Sequence, residues 1–133
     1  MKIAVILNNI RSNENVGSIF RTADAAGVDK IYLCGYTPAP VDRFSRVNKA
    51  LAKASLGAEK FVEWEKAGKL KTLISNLKAE KYKIIAVEQS PKSINYKKLA
   101  ASREKLGFVF GNEVTGLSKK DLSLCDQIVE IPM

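Results

Sequence analysis

The sequence predicts an α/β fold, a mostly parallel sheet with helices on both faces, and two observations carry that reading. Short β-branched runs alternate with helical patterns along the chain, and such alternation builds parallel sheets covered by helices. The first run, Lys2–Leu7 (KIAVIL), is nearly continuous in apolar residues, as a strand buried on both faces requires. With 133 residues, 46% apolar and 27% charged, residues 1–133 read as a single globular domain able to bury a core.

The elements follow in order. Asn13 is a suitable N-cap for a helix running to about Ala26, and Gly27 ends it. Val16, Ile19, Phe20 and Ala23 repeat with helical spacing and give one buried stripe. Lys30–Cys34 (KIYLC) reads as the second strand and Gly35–Pro40 as a turn-rich loop. Val41–Ala54 is amphipathic as a helix, with Phe44, Val47, Leu51 and Ala54 on one side and Arg43, Arg46, Lys49 and Lys53 on a separate arc. Ala58–Val62 suggests a short strand and Ala67–Glu80 a helix with Leu70, Leu73, Ile74 and Leu77 inward. Lys83–Val87, Leu106–Phe110 and Gln127–Ile131 read as strands, and Ser118 caps a short helix to about Leu124.

Composition narrows the chemistry. There is no histidine, so zinc sites and histidine-based triads are not expected, and no metal is. Cys34 and Cys125 each lie beside apolar sequence and read as buried, reduced thiols of a cytoplasmic protein. The longest uncharged run, Ile31–Val41, is too short to cross a bilayer, and no small-residue cleavage site follows the first apolar run. A net charge of +8 attracts polyanions, nucleic acid foremost; a lysine-rich surface that only confers solubility is the competing reading.

Ligands of open α/β sheets gather at the carboxyl ends of strands, and three segments there have unusual content. In the first, Asn8–Gly17 leads into Arg21. A glycine near the start of a helix lets a backbone or a ligand come close, and an arginine one turn on suits phosphate; helix capping and a surface arginine explain the same residues. In the second, Phe110–Ser118 (FGNEVTGLS), two glycines permit a tight loop with exposed amides, and an ordinary turn into a capped helix is the alternative. Lys119 and Lys120 then stand at a helix start, where the macrodipole disfavours cations, so an anion is expected nearby. The third is Glu130–Met133, where a strand runs into Pro132.

At these segments the sequence resembles the SpoU (TrmH-like) family of the SPOUT methyltransferase superfamily. Asn15–Ala25 (NVGSIFRTADA) is similar to the family's first motif, Phe110–Leu117 (FGNEVTGL) to its second, and Lys53–Glu59 (KASLGAE) to a segment between them. The resemblance implies a SPOUT-like α/β knot domain, a homodimer, and methyl transfer from S-adenosyl-L-methionine to a ribose 2′-hydroxyl of tRNA or rRNA. By position, Arg21 matches the family's catalytic arginine, with Asn15 and Glu113 arranging it. Gly111 and Ile131 match positions whose main chain contacts the cofactor, and Val87, at the end of a strand, is expected to do the same. Arginine is a poor general base, so Arg21 is expected to be essential either as a base helped by a neighbouring phosphate or by stabilising the alkoxide and positioning. Arg11, Arg21, Arg43, Arg46, Lys49, Lys53, Lys119 and Lys120 are expected to meet RNA phosphates.

The family's third motif, typically containing Ser-Leu-Asn, follows the proline-methionine pair and opens the last helix; it is not reached by Met133. The expectation is a domain C-terminally truncated relative to the family, with an incomplete knot element. Two functions then compete: an active ribose methyltransferase, and a non-catalytic RNA-binding remnant that cannot hold the cofactor.

Overall fold

Residues apolar on both sides of a strand belong inside a sheet, and Lys2–Asn8 (β1) has a parallel neighbour on each edge. In the computed structural model, which describes residues 1–96 and 105–131, the chain continues through α1 (Asn13–Ala26), β2 (Lys30–Cys34), α2 (Lys49–Ser55) and β3 (Glu63–Gly68). It goes on through α3 (Leu70–Ala79), β4 (Tyr82–Val87), β5 (Ile94–Asn95), β6 (Lys105–Phe110), α4 (Lys119–Ser123) and β7 (Gln127–Glu130). The strands form one seven-stranded sheet ordered β3-β2-β1-β6-β4-β7-β5, with every pair parallel.

Period-two alternation along β1 divides the core. Val5 and Leu7 pack with Val16, Phe20, Ile31, Leu33 and Leu51 beneath α1 and α2. Ile6 instead joins Ile84, Ala86 and Val109 and the inward residues Leu70, Leu73, Ile74 and Leu77 of α3. Phe20, Ile6, Leu7 and Leu51 are fully buried, and each such side chain stabilises by about 1.5–3 kcal/mol. A third cluster, Ile85, Leu106 and Val129 with Val87, Ile94 and Phe108, is built from strand side chains. Among the described residues no helix is long and apolar enough to cross a membrane.

Several expectations need correction. Ser12, not Asn13, caps α1: its hydroxyl accepts the Asn15 N–H at 3.1 Å, and Asn13 is already helical. The proposed helix Val41–Ala54 exists only from Lys49. Before it, the Asp42 carboxylate accepts N–H bonds from Phe44 (2.8 Å) and Arg46 (3.0 Å), and Val41 pairs antiparallel with Val47. A short acidic side chain that bonds the local backbone competes with helix, and the turn it makes passes through Ser45 at φ 62°. Phe44 and Val47 are therefore exposed and not part of a buried stripe. Arg43 and Arg46 sit in this turn, so the four-cation helical arc is not formed.

Ala58–Lys60 is a single 3-10 turn where a strand was expected, and the strand comes later as β3, whose sequence EWEKAG is mostly exposed. Because β3 takes Ala67 and Gly68, the following helix starts at Leu70. The two-residue strand β5 carried no sequence signal, and β7 stops at Glu130, one residue early. Ser118 caps α4 as expected, accepting the Asp121 N–H at 3.0 Å. Both cysteines are free, but only Cys34 is fully buried; Cys125 is partly so. Pro132 and Met133 lie outside the described residues.

Candidate functional site

All strands being parallel, their carboxyl ends share one edge of the sheet. The loop after β1 begins there, as do Glu88 after β4, Gly111 after β6 and Ile131 after β7. What joins these ends is the loop Gly111–Leu117. Glu113 reaches across to the start of α1, where its carboxylate accepts N–H bonds from Arg11 (3.0 Å) and Ser12 (2.9 Å) and the Asn15 side-chain amide (3.3 Å). Desolvation works against the charge, but these donors outweigh it and hold the Glu113 carboxyl down at about 2. An anion at a helix N-terminus also meets the favourable end of the macrodipole.

The loop has its own scaffold. The Asn112 oxygen accepts the N–H groups of Val114 and Thr115, while its amide donates to the Asn9 carbonyl (3.0 Å) and the Tyr36 hydroxyl (2.9 Å). A Cβ on Gly111 would come within 2.6 Å of the Gly116 backbone, so only glycine lets the loop close. Gly116 adopts φ 66° and lies against the Glu88 carboxylate, which accepts the Leu117 N–H at 2.8 Å. Glu88 thereby ties the end of β4 to the loop after β6.

The expected catalytic residues divide. Asn15 and Glu113 are brought into contact. Arg21 lies six residues beyond Asn15 on α1, about 9 Å along the helix and on another side of it; it is exposed and bonds to neither. Gly17 is not open to a ligand: a Cβ there would lie 2.5 Å from the Leu51 carbonyl oxygen and 2.7 Å from Ala54 Cβ. The approach it permits is that of α2, and Gly17 is buried while Arg21 faces solvent.

Val87, Gly111 and Ile131 sit at the ends of β4, β6 and β7, adjacent in the order β6-β4-β7. Main-chain groups at three neighbouring strand ends, flanked by Leu117, offer polar atoms and apolar surface together. That set fits an uncharged adenosine better than a metal ion, which would need side-chain donors. Lys49, Lys53, Lys119 and Lys120 are exposed on α2 and α4, and Arg11 and Arg43 are exposed in loops. Arg46 is exposed but ion-paired with Asp42 at 2.7 Å.

Sequence reading missed Glu88, Tyr36 and Asn48. Glu88 follows a strand directly, so the strand-end rule applied to its neighbours would have found it. Tyr36 carried no local signal, because its partner Asn112 is distant in the chain; Asn48 has the local signature of an N-cap, but its bond to Asn13 does not show in the sequence. A cleft of about 600 Å³ between Arg11, Asn15, Tyr36, Asn112 and Glu113 opens beside the Glu113 contacts.

Comparison with known proteins bears on the family and the fold. The model of the SpoU rRNA Methylase family matches residues 2–133. A Staphylococcus saprophyticus protein, whose name places it among TrmH family tRNA/rRNA methyltransferases, is 33% identical over 133 residues, covering 100% of this chain and 50% of its own. A tRNA (guanosine(18)-2′-O)-methyltransferase of Borreliella burgdorferi is 29% identical, covering 98% of this chain and 56% of its own. The chain thus spans about half the length of these curated relatives. An AdoMet-bound rRNA methyltransferase from Sinorhizobium meliloti superposes with a TM-score of 0.88 at 24% identity, covering 99% of this chain and 48% of that one.

Proposed function

The chain belongs to the SpoU rRNA methylase family, and from that premise we propose that it transfers a methyl group from S-adenosyl-L-methionine to a ribose 2′-hydroxyl of tRNA or rRNA, as a cytoplasmic homodimer. The observation that carries the reading is the Glu113 carboxylate, which locks the loop after β6 onto the start of α1. It ties Asn15 to the loop that leaves the end of β6.

In this reading the main chain of Val87, Gly111 and Ile131 holds the cofactor. Its sulfonium, when bound, supplies an electrophilic methyl group. That methyl group would go to the ribose oxygen, whose proton would pass to solvent or a substrate phosphate. The Arg21 side chain has no hydrogen bond or ion pair among the described residues, so its five donors are available to a phosphate or a developing alkoxide. A guanidinium group is a poor general base, so Arg21 acts by charge and orientation. Methyl transfer mostly requires alignment of nucleophile and methyl, and Asn15 and Glu113 are the positioning pair.

The test is calorimetric titration of the 133-residue chain with S-adenosyl-L-methionine, followed by incubation with tRNA and rRNA. Nucleoside mass spectrometry should detect a 2′-O-methylated product. RNA binding without cofactor binding, even at large excess, would establish the non-catalytic RNA-binding alternative instead.

A further inference from the structure

The turn before α2 encloses a second cleft, of about 850 Å³, that the methyl-transfer reading does not use. Its floor includes the partly buried Trp64 of β3, and its walls include Val47, Arg43, Arg46 and Lys66. The cationic side chains are organised in advance. Both guanidinium groups lie over the exposed Phe44 ring, at 4.8 Å for Arg43 and 5.1 Å for Arg46, and Asp42 anchors the turn through the Phe44 and Arg46 N–H groups. Lys66, also in the lining, donates to the Thr37 carbonyl. Three cations against one acidic residue leave the lining with a net charge of +2, from Arg43, Arg46 and Lys66 less Asp42.

The cleft is also tied to the candidate site. Asn48, in its wall, donates to the Asn13 side-chain oxygen at 2.8 Å, and Asn13 opens the helical turn that contains Asn15. An apolar slot with an indole, rimmed by cations and fixed beside the first turn of α1, suits one chemistry. An unstacked base lies against the aromatic face while its phosphates meet the arginines.

We propose that this cleft receives a base of the RNA strand flanking the methylated nucleotide, with Trp64 as the stacking surface and Arg43 and Lys66 as phosphate contacts. The proposal rests on the RNA-substrate reading above. It adds a base-contacting subsite to a surface whose cations alone would read only backbone.

Trp64 is the only tryptophan in the sequence, so its emission reports on the cleft. The 133-residue chain is titrated with a short oligouridylate, and with an abasic oligonucleotide of the same length and charge, while anisotropy of labelled strands measures binding independently. The expected result is saturable quenching by the base-bearing strand at the concentrations where it binds, and little quenching by the abasic one. Trp64→Leu keeps apolar packing against the core and, with folding checked by circular dichroism, weakens binding of the base-bearing strand by about tenfold. The abasic strand binds the variant and the parent equally. Binding of RNA with unchanged emission, or equal quenching by both strands, overturns the subsite and leaves the methyltransferase reading standing. Absence of any RNA binding overturns both.

Discussion

At Glu113 a single carboxylate does the work of a cap and of a tether. Its donors come from Arg11, Ser12 and Asn15, about a hundred residues earlier in the chain. The sign of its pH effect follows from the direction of its shift, from 4.5 down to about 2. The stabilising contribution is complete above the unfolded value and is lost as pH falls toward about 2. Because the side chain is exposed, screening reduces the contribution, and Glu113→Gln is expected to cost about 1 kcal/mol near neutrality. The checking measurement is thermal unfolding at pH 6 and at about pH 3. The difference in melting temperature between Gln variant and parent should shrink at the lower pH, and a gap independent of pH would mean that the charge is not what binds the loop. Arg21 gives the opposite pattern. Its exposure and lack of partners predict that Arg21→Ala leaves stability within about 0.5 kcal/mol, while methyl transfer falls by about a hundredfold or more. Turnover near the parental rate would remove Arg21 from the mechanism.

At the scale of the element, the packing of α1 on α2 turns on Gly17. Alanine is the better helix former by about 1 kcal/mol, so Gly17→Ala would stabilise an isolated α1. In the fold the new methyl would meet a carbonyl oxygen at 2.5 Å and another Cβ at 2.7 Å, which α2 can relieve only by moving. Overpacking of this kind costs about 1–3 kcal/mol, so the net effect expected in urea unfolding is destabilisation. A more stable variant would show that the helices separate easily. The same pair of helices marks what could be read in advance. Val16, Phe20 and Ala23 were legible as a buried stripe because one helix face met one sheet face. The role of Gly17 was not, since its neighbour Leu51 is far along the chain and spacing reports nothing about what crosses a helix. Val41–Ala54 misled for a related reason. Apolar residues at helical spacing satisfied the pattern, while Asp42 and Asn48, a turn-former and an N-cap, were the signals that decided it. β3 was missed because an exposed strand with sequence EWEKAG has little apolar alternation to detect. Asn15 and Glu113 were recognised through motif resemblance, and only the fold brought them into contact.

For the whole molecule, the charge of +8 is distributed unequally in what it can do. Arg46 is paired with Asp42, and Lys30 with Glu63 and Glu65, so part of the positive charge is already answered within the chain. Arg43, Lys49 and Lys53 are exposed and form no ion pair among the described residues, and they lie on the turn before α2 and on α2 itself, which packs against α1. If RNA lies along this face, these three cations displace counterions from its phosphates whereas Arg46 contributes less, because its removal also exposes Asp42. Each phosphate contact on a single strand adds about 0.7 to the slope of log affinity against log salt. The double substitution Arg43→Ala with Lys49→Ala should therefore lower that slope by about 1.4, measured by anisotropy of a labelled oligonucleotide over a range of salt. Replacing Lys83, on the opposite part of the sheet, is the control and should leave it unchanged. An unaltered slope in the double variant would move the RNA face away from α2, toward the cations of α4, and the net charge alone could not tell these two faces apart.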